Sequence, residues 1–316
     1  MAGIEQIGAL SDAQIADRLA IAQAVRQKNP AEKVVHLASK LFQLLPAGAE
    51  DEFIFPAFPV ATRARIFGGQ VIAQALAAAT LTVEGVKQAH SLHAYFLRGG
   101  DETKPLHFRV HRDFDGRTFS NRRVVVRQDG KVIFNLTASF HAPEEGPEYQ
   151  AVMPDILPPE DCMDFIEHLA MDPNVDEDDL IRSARMRPFE MRTHRPVSTQ
   201  TGGSAHYQWY RMAAPIADDR NLHRNFLAFM SDMGLLTSSL LPHGLTWSTP
   251  GLFSTSLDHA MWFHDDVHLD QWVVFVMDSD WTGAARGINR GRVFTRDGKL
   301  IASVVQEGLL RLTPQA

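Results

Sequence analysis

At 316 residues, 45% of them hydrophobic and 22% charged, the chain has the composition of a globular protein long enough for two modest domains. A formal charge of −7 argues against a dedicated nucleic-acid binder, and a single cysteine, Cys162, excludes a disulfide framework and a thiolate metal cluster. The N-terminus lacks the basic, apolar, small-residue order of a secretory signal, no run approaches the ~18 apolar residues of a membrane span, and the C-terminus is not a Ser-Lys-Leu address. These features predict a cytoplasmic protein without a membrane partner.

Residues 1–30 read as a helical leader starting at Ser11, with Ile15, Leu19, Ile21 and Val25 giving an amphipathic pattern that packs outside a domain. Residues 31–45 are helical or mixed. From Arg65 onward, Gly68 and Gly69 lead into a small apolar segment, residues 70–79, whose hydrophobicity all round predicts an enclosed helix. Four strand-like runs follow, at 88–97, 106–113, 118–128 and 131–141, separated by turn residues such as Asp115-Gly116 and Asp129-Gly130. Residues 142–184 turn proline-rich and acidic, which marks a linker holding a short helix at 161–171. Beyond it the order repeats: a helix at 224–241, then strands at 253–263, 272–279, 284–295 and 300–312.

Two stretches carry this repetition most clearly. Asp129-Gly130-Lys131 and Asp297-Gly298-Lys299 are hairpin signals, each followed by a strand with a period-two face. In the second strand Leu300, Ala302, Val304, Gly308, Leu310 and Leu312 share that face with one polar residue, Gln306; the aligned residue of the first is Ala138. A buried amide needs partners or costs about 1–3 kcal/mol, so Gln306 implies a polar constellation in the second half only. His93-Ala94-Tyr95-Phe96 and His259 to Phe263 match at a similar offset, near 166–168 residues. The predicted organisation is a leader at 1–30, an N-terminal unit at 31–145, a linker at 146–184 and a C-terminal unit at 185–316.

Asp232 lies within an apolar helical stretch, on a face with Phe229 and Leu236. It is either a local cap with Ser231 or a base in a partly dry pocket, and the residues alone do not choose. Ser256 is expected on one strand face with Asp258 and Trp262, where an ordinary backbone-bonded hydroxyl is the plainer reading. Asp258 and His259 are adjacent on a strand, hence on opposite faces, which argues against a catalytic Asp-His pair. A Gly-x-Ser-x-Gly elbow is absent, and the His90/His93 and His107/His111 pairs do not make a metal site. The arginines between Arg112 and Arg127 and those of Arg286, Arg290 and Arg292 read as strand and turn surface, with phosphate contact as the alternative.

Taken together, Phe67 to Leu76, Ser91 to Arg98, Asp115 to Phe119, Leu257 to His264 and Gln306 to Leu309 resemble blocks of the acyl-CoA thioesterase II family, over about residues 33–312. The resemblance implies an α+β double hotdog fold, two helices each wrapped by antiparallel sheet. It also implies an acyl-CoA thioesterase, a hydrolase of thioester bonds that uses no cofactor or metal, acts on acyl-CoA and associates as a homo-oligomer. By motif, the family's water-holding site falls on Asp232, Ser256 and Gln306, with Ser256 where relatives often carry Thr; a backbone N–H near a helix start is expected to stabilise the oxyanion. The rival class is a non-catalytic acyl-CoA-binding or regulatory protein on the same fold, which the intact Asp232, Ser256 and Gln306 set disfavours. A hotdog hydratase or dehydratase would want a histidine beside Asp232 within the helix motif, and none is there.

Overall fold

The computed structural model describes residues 9–57, 65–185, 187–194 and 205–313. The first eight residues of the leader and the last three of the chain lie outside them. Helix α1 (Asp12–Lys28) begins at Ser11, which accepts from the Gln14 N–H while its own N–H donates to Gln14 Oε1 at 2.9 Å, a reciprocal cap. Helix α2 (Ala31–Ser39) runs into a single 3₁₀ turn, and strands β1 (Leu45–Pro46) and β2 (Glu52–Phe55) form a short hairpin. Helix α3 (Gly68–Thr80) precedes strands β3 (Gln88–Phe96), β4 (Leu106–Asp115), β5 (Phe119–Gln128) and β6 (Lys131–His141). The connection then holds strand β7 (Met163–Asp164) and helices α4 (Phe165–Met171) and α5 (Glu177–Arg185). Strands β8 (Phe189–Thr193) and β9 (His206–Met212) lead to helix α6 (Arg220–Ser231) and the short α7 (Thr237–Leu240). Strands β10 (Leu252–Ser256), β11 (Asp258–Phe263), β12 (Val273–Gly283), β13 (Arg286–Thr295) and β14 (Leu300–Leu312) complete the chain.

The strands make one antiparallel sheet in the order β1-β2-β4-β5-β6-β3-β11-β14-β13-β12-β9-β8-β7, with β10 also on β14. The halves join where β3 pairs with β11, from Tyr95 opposite Asp258 to Ser91 opposite Trp262. The curved sheet encloses α3 and α6, which pack on each other, and Ile72, Ala73, Ala75, Ala78, Phe226, Leu227 and Ala228 are fully buried between them and the strands. This is the α+β double hotdog. Outside it, α1 packs Ala22, Leu19 and Val25 on α4 and α5, and Arg18 donates to the carbonyls of Leu169, Asp172 and Val175, which tie the leader to the connection.

Three expectations change. The helix expected over 224–241 runs instead from Arg220 to Ser231, because Asp232 caps it and Gly234, at φ +80°, turns the chain before α7 begins. The strand expected over 253–263 is broken at Leu257: Ser256 pairs with Gly308, yet Ala260 pairs with Val305, a one-residue slip. On β14 the buried face runs from Ala302 through Val304 and Gln306 to Gly308, but Leu312 is 55% exposed because the strand's end outruns the core. The turn signals hold where Asp129 and Gly130 both take positive φ, the geometry a two-residue hairpin needs.

Close approach of the two central helices fixes the glycines at the start of α3. A Cβ on Gly69 would stand 2.3 Å from the carbonyl oxygen of Phe229 in α6, a backbone atom that cannot rotate away. Gly69→Ala is therefore expected to destabilise the protein by about 1–3 kcal/mol, read as a lower midpoint of thermal unfolding. Gly146→Ala, where nothing lies within 4 Å, should move stability by no more than ~0.5 kcal/mol. Equal effects at the two positions would contradict this packing.

Candidate active site

Helix α3 opens at Phe67, whose side chain makes no cap. The missing acceptor comes from the other half of the chain: the Gly69 N–H donates to Asp232 Oδ2 at 2.8 Å. A carboxylate at the positive end of a helix is electrostatically favoured, so the start of α3 and the end of α6 hold each other in register. Gly68 leaves the room, since a Cβ there would lie 2.6 Å from Asp232 Oδ2.

The second carboxylate oxygen gathers the remaining groups. Gln306 Nε2 donates to Asp232 Oδ1 at 2.6 Å and to Ser256 Oγ at 2.6 Å, and Ser256 Oγ donates to Asp232 Oδ1 at 3.3 Å. The three residues singled out in the sequence thus meet in one hydrogen-bonded cluster, reached from α6, β10 and β14. Asp232 and Ser256 line a cavity of about 1520 Å³, whose walls include Leu41, Phe55, Phe67, Phe229 and Met233 together with Leu169 and Val175 of the linker. Gln306 is fully enclosed and reaches the other two from behind.

The slip at Leu257 decides which neighbours the cluster has. It places Ser256 on the inner side while Asp258 and Trp262 face outward, so the expectation that these three share a face is corrected; Trp262 packs edge-on against the exposed His93. Asp258 and His259 do lie on opposite faces, as strand alternation requires. Asp258 Oδ1 accepts the Glu307 N–H at 2.7 Å, and burial still holds its carboxyl above the usual range. His259 turns inward, fully enclosed, with Nε2 2.9 Å from Ser231 Oγ. Burial drives its pKa down to about 3, so the ring is neutral.

His259 and Ser231 are functional candidates that the sequence did not offer. The signal for His259 was a polar residue at an inward strand position, and it is hidden by the irregular step at Leu257. The repeat alignment is also off by one residue there. Leu92 pairs with Ala138, and His259 lies across from Gln306, one step beyond the Ala260 and Val305 pair, so the inward counterpart of His259 is Leu92 and not the exposed His93.

Behind the cluster, Asn289 sits opposite Gln306 and donates to the carbonyls of Gly287 and Gln306, while its Oδ1 accepts the Ser239 N–H at 2.9 Å. The same place in the N-terminal half is filled differently. Arg122 pairs with Ala138, is 1% exposed, and donates to Thr82 Oγ1, the Thr82 carbonyl and Asp115. Four of the other arginines weighed as phosphate contacts also meet carboxylates: Arg112 with Asp51, Arg123 with Asp113, Arg286 with Glu307 and Arg290 with Asp278 and Asp280. Among the described residues, Asp218, His223 and His268 bring ligand atoms within 4.8 Å of one another at the opposite end of α6. His223 Nδ1 there accepts the Leu269 N–H at 3.1 Å, which leaves the proton of its neutral ring on Nε2 and spends the lone pair a metal would need.

Comparison with known proteins gives the family and the fold. A family profile described as acyl-CoA thioesterase matches residues 182–309, and one described as the acyl-CoA thioesterase N-terminal domain matches residues 58–141. Acyl-coenzyme A thioesterase 8 of Mus musculus is 37% identical over 268 residues, covering 81% of this chain and 83% of that one. Acyl-CoA thioesterase 2 of Haemophilus influenzae is 34% identical over 255 residues, covering 79% of this chain and 88% of the relative. The crystal structure of an acyl-CoA thioesterase II from Mycobacterium marinum superposes with a TM-score of 0.73 at 33% identity, covering 87% of this chain and 98% of that one. With its fold, its duplicated order and these relatives in agreement, the chain belongs to the acyl-CoA thioesterase II family.

Proposed function

We propose that the protein hydrolyses acyl-CoA to a free fatty acid and CoA, with water activated at Asp232. The observation that supports this most is the convergence of Gln306, Ser256 and Asp232, within 2.6 to 3.3 Å of one another, at the wall of a cavity whose lining is mainly but not wholly apolar. A non-catalytic binder would need the cavity but not the buried donors that order a carboxylate beside it.

In this reading the acyl chain lies along the apolar walls and the thioester carbonyl comes to the start of α3. Asp232 accepts a proton from water as the water oxygen bonds to the carbonyl carbon. The tetrahedral oxyanion develops in the positive field of the α3 N-terminus, where a well-placed donor is worth about 10²–10³ in rate. The C–S bond then breaks and the proton held by Asp232 passes to the departing thiolate sulfur, which restores the carboxylate. Both N–H groups of Gln306 go to Asp232 and Ser256, so its part is to hold the base and the hydroxyl in place, while those two face the water. No acyl-enzyme forms.

Cytoplasmic residence fits the single, buried cysteine, and among the described residues no helix is long and apolar enough to cross a membrane. We also take the protein to be a homo-oligomer.

Asp232→Asn should lower kcat by about 10² or more with KM nearly unchanged, measured as release of free thiol from acyl-CoAs of graded chain length. Loss of binding with turnover preserved would refute the assignment of the base. Ser256→Thr keeps the hydroxyl and should stay within about threefold of wild type, whereas Ser256→Ala should lose about tenfold in kcat. If Ala and Thr behave alike at this position, the hydroxyl has no part in holding the water.

A further inference from the structure

Gln306 can do its work only one way round. Its Nε2 faces Asp232 and Ser256, both acceptors of hydrogen bonds, and rotation of the amide by half a turn would set Oε1 against the carboxylate oxygen instead. Nothing in the strand backbone prevents that rotation. The group on the far side of the amide has to prevent it.

That group is His259. The step from the Ala260 and Val305 pair puts it directly across from Gln306, at the spacing where facing side chains touch. Both residues are fully enclosed, neither His259 Nδ1 nor Gln306 Oε1 makes a hydrogen bond of normal geometry among the described residues, and the Gln306 side chain is the polar group that acts on the His259 ring. Two such atoms facing each other are costly if both present lone pairs and favourable if one carries a hydrogen. The carbonyl oxygen cannot carry it, so the imidazole must. The other ring nitrogen permits this, because Ser231 Oγ stands 2.9 Å from His259 Nε2 and 2.8 Å from the Ala228 carbonyl, and its one rotatable hydrogen serves either.

We propose that His259 is a positioning residue for the thioesterase site: held as the neutral Nδ1–H tautomer by the Ser231 hydroxyl, it donates to Gln306 Oε1 and so fixes the Gln306 amide with its donors toward Asp232 and Ser256. The inference rests on the proposed role of Asp232. It also explains why a histidine occupies a position that holds Leu92 in the other half: Ala138, the residue across from Leu92, has no amide to orient. Burial keeps the ring neutral, so it neither competes for the proton of the water nor adds a charge behind the cluster.

The ¹⁵N and ¹H shifts of His259 in wild-type protein labelled at histidine, assigned by their loss in His259→Asn, test the tautomer without reference to activity. Protonated Nδ1 with an unprotonated Nε2 at pH 7 is the expected result, and a ring protonated at Nε2 overturns the proposal. In steady-state assays His259→Leu, which installs the side chain already found at the equivalent Leu92, should lower kcat by about 10²-fold with KM within about threefold. His259→Asn, whose amide N–H falls where Nδ1 lies, should recover most of that loss. In a Gln306→Ala background the same His259→Leu change should cost no more than about twofold, because the two act as one unit. Full additivity, or an unimpaired His259→Leu, refutes the proposal. Should His259→Leu not fold, the wild-type tautomer and His259→Asn decide it alone. Absence of hydrolysis by the wild-type protein would instead refute the thioesterase reading, and leaves the tautomer measurement standing on its own.

Discussion

One ion at one helix end carries the arrangement. Helix α3 lacks a capping side chain of its own, and the carboxylate of Asp232, from the far half of the sequence, takes the Gly69 N–H at 2.8 Å. The two glycines allow it, since a methyl group at Gly68 would meet the carboxylate and one at Gly69 would meet the α6 backbone. Folding and site assembly are therefore one event: the helix start needs an acceptor, the acid needs donors, and each half supplies what the other lacks. The continuous pairing of β3 with β11 brings the two elements together.

Around that contact the polar groups are ordered in layers of decreasing exposure. Asp232 and Ser256 face the cavity, Gln306 stands behind them, and His259, Ser231 and Asn289 complete an enclosed network. Such a network is stabilising only when every member is paired, and it is stiff for the same reason. The cavity is bounded partly by α4 and α5, which α1 and Arg18 fasten down. Residues outside the two hotdog units thus contribute to the wall of the cavity.

Much of this was legible in the sequence, for identifiable reasons. Strands bounded by turn residues and an apolar helix following two glycines announce themselves through period and composition, and Gln306 betrays itself as one polar residue on an apolar face. What could not be read depends on departures from period. The turn after Asp232 ends α6 ten residues short of the expected limit because Gly234 adopts a conformation that the apolar pattern does not encode. The slip at Leu257 reverses the inward and outward sides between Ser256 and His259, so face assignments carried along the strand fail at that step. The partner of the α3 N-terminus is 163 residues away in the chain, a distance that local patterning does not span.

The filling of the N-terminal counterpart bears on how the protein counts its substrate. Where the C-terminal half sets Asn289 against Gln306, the other half sets a buried guanidinium against Ala138 and spends it on Thr82 and Asp115. A glutamine restored at position 138 would face a cation already committed to its own acceptors, so the symmetry of the fold is not a symmetry of chemistry. On the proposed assignment, the described residues of each chain hold one turnover centre for two hotdog units.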